Sequence, residues 1–171
     1  ILYCSAEANS VYQADVVKAA LEAKGVNVTV YTFADSNDVA TVTQTACAEN
    51  DALYIPTDNT AASNGKAIAN VTVPAKTPVV AGEQGICSNC GVATLSIDYK
   101  SLGETSGKMA VKILKDGEDI STMPIEYAPN FTKEYNKDIC EELGIEVPDD
   151  YVAIGEAAED TEEASDDATA A

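Results

Sequence analysis

Histidine, arginine and tryptophan are absent from this sequence, and no apolar run in it is long. Without His, no Ser-His or Cys-His nucleophile pair can be built within the chain, and the commonest general base and metal ligand is missing. Without Arg, no guanidinium can clamp a ligand carboxylate in a bidentate grip, so backbone N–H groups and hydroxyls would have to receive it. All 10 basic residues are Lys, set against 29 acidic ones, for a formal charge of −19. That balance excludes a nucleic-acid partner, because neutralising phosphates requires a basic patch. No segment approaches the roughly 18 apolar residues that a membrane-spanning helix needs.

What is present suits one globular core: 171 residues, 46% of them hydrophobic. The first residues, Ile1-Leu2-Tyr3-Cys4, read as the middle of a strand with no initiator Met or signal-like stretch. The expectation is a piece of a longer protein. The five cysteines are Cys4, Cys47, Cys87, Cys90 and Cys140, an odd number, so one thiol stays free unless chains pair. Cys4 and Cys47 read as small buried hydrophobes.

Along the chain, strand and helix patterns alternate. Ile1–Ser5 is a short apolar strand, and Val11, Ala14, Val17 and Leu21 recur at helical spacing until Lys24-Gly25 stops the helix. Val26–Phe33 alternates Val26, Val28 and Val30 with Asn27, Thr29 and Tyr31, which predicts a second strand. Asp35-Ser36-Asn37 can cap a helix over Asp38–Glu49, and Ala52–Pro56 reads as a third strand. Thr57–Ser63 is a polar turn before a short helix that Val71-Thr72-Val73 and Pro74 interrupt. Pro78–Ala81 and Gly91–Ile97 are the fourth and fifth strands. Ser101–Lys115 is the clearest amphipathic helix, with Leu102, Met109, Ala110 and Ile113 on one face. This order predicts an α/β fold: a Rossmann-like (flavodoxin-like) open, mainly parallel sheet with helices on both faces. Domain organisation follows as a globular part over residues 1–151 and an acidic tail over 152–171. From Glu156 onward the tail has no basic or aromatic residue to dock it, so it is expected to be disordered.

In an open parallel sheet, ligands bind beyond the carboxyl ends of the strands. Ser5-Ala6-Glu7-Ala8-Asn9-Ser10, Thr57-Asp58-Asn59-Thr60, Gly82-Glu83-Gln84-Gly85 and Ser96-Ile97-Asp98-Tyr99 occupy that edge. Such a shelf offers N–H donors to an anion and carboxylates to a cation, as a zwitterion requires. Any one of Ser10, Thr57 and Asp58 taken alone is equally well explained as a helix cap. Phosphate is the poorer ligand, since the loops carry no basic residue and no glycine-rich phosphate motif.

The stretches ILYCSAEANS (Ile1–Ser10), YIPTDNT (Tyr54–Thr60), VVAGEQG (Val79–Gly85) and ATLSIDYKSLG (Ala93–Gly103) also resemble the ABC transporter substrate-binding family that includes tryptophan- and tyrosine-binding lipoproteins. The resemblance runs from Ile1 to about Tyr151. It implies one lobe of a type I periplasmic binding protein, with the ligand held between this lobe and a preceding one. Carried over by position, the implied ligand-binding residues are Ser5, Glu7, Asn9, Ser10, Thr57, Asp58, Asn59, Thr60, Glu83 and Asp98, with Asp58 the first choice for a ligand ammonium. The implied partners are an amino-acid-like solute, an ABC permease and the missing N-terminal lobe, at an extracytoplasmic site reached through a lipoprotein signal. No cofactor, metal or catalytic residue is implied. The chain departs from its relatives at Asn70-Val71-Thr72-Val73-Pro74, where they have a plain helix, and at Cys87-Ser88-Asn89-Cys90, where they have charged residues. The C-x-x-C reads as a loop holding a local disulfide or two idle thiols, because zinc would need further Cys or His ligands. Two rival readings are a sensory domain of the same fold joined to a regulatory module and a flavodoxin-like enzyme domain, the latter lacking any cofactor signature.

Overall fold

The computed structural model describes residues 1–155; the tail expected from Glu156 onward lies outside the described residues. Its elements are β1 (Leu2–Cys4), α1 (Ala8–Glu22), β2 (Tyr31–Phe33), α2 (Val39–Glu49), β3 (Leu53–Ile55), α3 (Asn59–Ser63), α4 (Gly65–Thr72), β4 (Val79–Ala81), α5 (Gln84–Cys90), β5 (Ala93–Ile97), α6 (Tyr99–Leu114), β6 (Phe131–Tyr135), α7 (Lys137–Leu143) and β7 (Val152–Ala153). β1 pairs with β2 in parallel, and β3, β4 and β5 form a parallel run that β6 joins antiparallel to β5. β7 closes the edge alongside β6, so the sheet takes in Val152 and Ala153, which the sequence assigns to the tail. The result is an α/β lobe with a mostly parallel sheet, as the pattern predicts.

Burial explains the order of layers. Leu53, Ile55, Val79 and Ala81 point to one face and pack with Ile68 of α4 and Ile86 of α5. Each fully buried Leu or Ile there contributes about 1.5–3 kcal/mol of transfer free energy. Tyr54 and Val80, the alternating residues, point the other way. On that side Tyr54 joins Ile1, Tyr3 and Ala14 under α1, while Val80 is 45% exposed. Val17, Leu21, Val28, Tyr54 and Val80 line an apolar groove of about 300 Å³.

Four local expectations need correcting. The second strand is Tyr31–Phe33, not Val26–Phe33, because its only partner β1 is three residues long and a ladder ends with its partner. The helical turns before β4 run through Val71 to Thr72, broken instead at Asn64 between α3 and α4. Cys87 and Cys90 lie in helix α5, not a loop; Glu83 caps that helix and both thiols turn into the core as free cysteines. Finally, α6 forms as the apolar stripe predicts, yet none of its residues is buried. Leu114 at its end and Ile120, Ile125, Tyr127 and Phe131 beyond it are all more than 60% exposed.

Candidate ligand-binding edge

β1 and β3 lie side by side without a ladder between them, and the seam is closed by a side chain. Asp58 follows β3 and is 1% exposed. Its Oδ2 accepts from the Cys4 N–H at 2.7 Å, standing in for a strand carbonyl, and its Oδ1 accepts from the Ala61 N–H at 2.7 Å, capping α3. Both oxygens therefore serve the backbone, and the carboxylate faces the interior rather than the shelf.

Glu7 binds the first loop to the second. One oxygen accepts from the Asn59 N–H and Nδ2, both at 2.9 Å; the other accepts from the Thr60 N–H and Oγ1, both at 2.8 Å. Partial burial pushes this carboxyl up, but the four donors outweigh it and hold it at about 2. In turning to α3, Glu7 leaves its own helix α1 without a side-chain cap. The Thr57 carbonyl accepts from Asn9 Nδ2 at 2.9 Å and, with longer geometry, from Ser10 Oγ at 3.3 Å. Ser10 is fully buried inside α1 and is not a cap. Ser5 is exposed, its hydroxyl 3.3 Å from the Phe33 carbonyl.

The third and fourth loops are held separately. Glu83 caps α5 by accepting from the Gly85 and Ile86 N–H groups, and Asp98 caps α6 by accepting from Lys100 N–H at 2.9 Å. The third loop abuts the second through Gly82: a Cβ there would stand 2.7 Å from the Thr57 nitrogen and 2.8 Å from the Pro56 carbonyl carbon, so only Gly permits the approach. The structure thus brings together Glu7, Asn9, Ser10, Thr57, Asp58, Asn59 and Thr60, and leaves Glu83 and Asp98 each on its own helix. One residue the sequence does not single out belongs with the first group: Gln13, whose Oε1 accepts from the Thr57 N–H at 3.1 Å. Nothing in a lone polar residue on a helix distinguishes it from a solvated face.

The thiols do not add chemistry to the edge. Burial, with Cys90, Cys140 and Glu134 nearby, pushes Cys87 up to about 12; burial, with Glu83 nearby, pushes Cys90 up to about 12. Among the described residues no group of three His, Cys, Asp or Glu side chains is placed to hold a metal ion.

A mostly parallel α/β lobe whose polar loops share one sheet edge has the form of a substrate-binding lobe. The chain belongs to the family described as ABC transporter substrate binding protein, whose model matches residues 1–159. It is 28% identical over 125 residues to a tyrosine-binding protein of Clostridioides difficile, covering 73% of this chain and 36% of that protein. A ligand-free, open substrate-binding protein with adhesive properties from Clostridium difficile matches with TM-score 0.71 and 34% identity, over 89% of this chain and 52% of the other. An ABC domain from Streptococcus pneumoniae in complex with L-Trp matches with TM-score 0.79 and 30% identity, over 86% of this chain and 50% of the other. The chain spans about half the length of these solved relatives and about a third of the curated one.

Proposed function

We propose that this chain is one lobe of an extracytoplasmic solute-binding protein that captures a small amino-acid-like ligand and delivers it to an ABC permease. The observation that carries the reading is the amino end of α1. Of the helices that open at this edge, α3, α5 and α6 are capped by Asp58, Glu83 and Asp98, whereas α1, like α2 after β2, has no side-chain cap. That 15-residue helix offers a ligand carboxylate its N–H groups and the positive end of its dipole in a chain without Arg. Ser5 and Asn9 flank it. Glu83 and Asp98 keep unused lone pairs toward solvent and are the acceptors for a ligand ammonium.

A second lobe supplies the opposite wall. The half-length coverage of the relatives supports this, as do the bare stripe of α6 and the exposed Ile120, Ile125 and Tyr127, which are side chains that a lobe folding alone would cover. Hinge closure of the two lobes is the working motion, and no bond in the ligand breaks. Anchoring through an N-terminal lipoprotein signal belongs to the same reading; no described helix is long and apolar enough to cross a membrane.

The test is calorimetric titration of the twenty amino acids against the full-length protein and against this chain alone. Binding by the former and, at best, weak binding by the latter is expected. Sub-micromolar affinity in the isolated chain would remove the two-lobe assignment, and no binding of any amino acid to the full-length protein would remove the ligand class.

A further inference from the structure

The second loop is gripped from two sides by residues that are distant in sequence. Gln13, on the second turn of α1, reads the Thr57 peptide as a neighbouring strand would: its Oε1 accepts from the Thr57 N–H at 3.1 Å and its Nε2 points to the Thr57 carbonyl at 3.4 Å. The same Nε2 donates to the Asn9 carbonyl at 3.2 Å, tying the amide to the first turn of its own helix. Glu7, at the other end of that turn, holds Asn59 and Thr60 through four bonds. Between these grips stands Asp58, already fixed to β1. On the far side Gly82 lies against Pro56 and Thr57 with no room for a side chain. A loop contacted this way has little freedom left to move relative to α1.

We propose that Gln13 and Glu7 are paired positioning residues that weld the amino end of α1 and the Thr57–Thr60 loop into one cooperative unit, so that the ligand meets a preorganised surface. Glu7 is thereby a strut within the shelf, and the ammonium contact falls to other acids. This deepens the proposed binding function and rests on it for its effect on affinity; the coupling of the two loops stands without a ligand. Preorganisation matters here because a binding surface that must first be ordered loses that ordering free energy from its affinity.

The experiment uses Gln13→Leu, Glu7→Gln and the double variant in the full-length protein. It reads amide hydrogen exchange at Thr57, Asn59 and Thr60, the thermal midpoint, and affinity for L-tyrosine and L-tryptophan as probes. Gln13→Leu should speed exchange by about tenfold not only at Thr57, whose N–H it releases, but also at Asn59 and Thr60, which it never touches. The double variant should open the loop little further than either single one, the non-additivity expected of a shared unit. In Gln13→Leu, probe affinity should fall about fivefold or more at a nearly constant midpoint, which a merely structural role would not produce. Faster exchange confined to Thr57, or additive effects in the double variant, would overturn the proposal. If the wild type binds neither probe, an aromatic ligand is ruled out while the exchange data still decide the coupling.

Discussion

Replacing Asp58 by Asn separates two roles that the same carboxylate could play. As a simple helix cap Asp58 would be exchangeable, because Asn caps about as well as Asp. In this structure it does more: two buried backbone donors, on Cys4 and Ala61, each sit 2.7 Å from a different oxygen. Asn has one acceptor, so whichever donor it keeps, its NH2 confronts the other. A hydrogen bond to a charged acceptor is worth about 1.5–3 kcal/mol, and a buried donor left unpaired costs about 1–3 kcal/mol. The two overlap, and relief of a buried charge offsets part, so the net loss is about 2–4 kcal/mol. For a domain of this size each kcal/mol moves the midpoint by about 2–4 °C, which puts the expected drop at about 4–16 °C. Thermal unfolding of wild type and Asp58→Asn followed by circular dichroism, with ligand affinity measured below the transition, tests this. An unchanged melt with at least a tenfold loss of affinity would refute the seam argument and return Asp58 to the ligand ammonium.

Glu7 gives the stability a pH signature. Its carboxyl titrates at about 2 in the folded chain against an ordinary 4.5, so its contribution is present in full above about pH 4.5 and is lost as pH falls toward 2. The gap in midpoint between wild type and Glu7→Gln should close over that window; a gap independent of pH would contradict the four-donor assignment. Cys87 and Cys90, held near 12, should resist a thiol-specific disulfide reagent at about pH 8 in the native protein and react once it unfolds. Rapid labelling of either in the folded state would show that α5 opens readily.

The alternation of strands and helices was legible because period-2 and period-3.6 patterns succeed one another cleanly from Ile1 to Ile97. Strand length was not: Val26, Val28 and Val30 have the right alternation, but pairing needs a partner, and β1 offers only three positions. The edge that gathers the loops follows from topology and was also legible. The duty of each acid was not, since a carboxylate that caps a helix and one that meets an ammonium are the same residue in the same kind of loop. Glu7 shows the limit, for its partners lie 52 and 53 positions away. Neither they nor the Gln13–Thr57 pairing has any local signal. The helical setting of the C-x-x-C is hidden in the sequence for a different reason. A seven-residue helix depends on its cap and its packing more than on propensity, and Ser88, Asn89 and Gly91 read as a loop until Glu83 is seen accepting from the first turn.

The uncovered excursion from α6 to Phe131 makes this chain, when handled alone, a colloid whose behaviour is set by salt. Its formal charge of −19 repels other copies over long distances in dilute buffer. At physiological ionic strength that repulsion reaches only about 8 Å. The bare side chains of Leu114, Ile125 and Tyr127 on two copies can then meet. Concentrated stocks of the isolated chain should accordingly be kept at low ionic strength, and clouding on addition of salt is the expected sign that these side chains have found one another in place of the second lobe proposed to cover them.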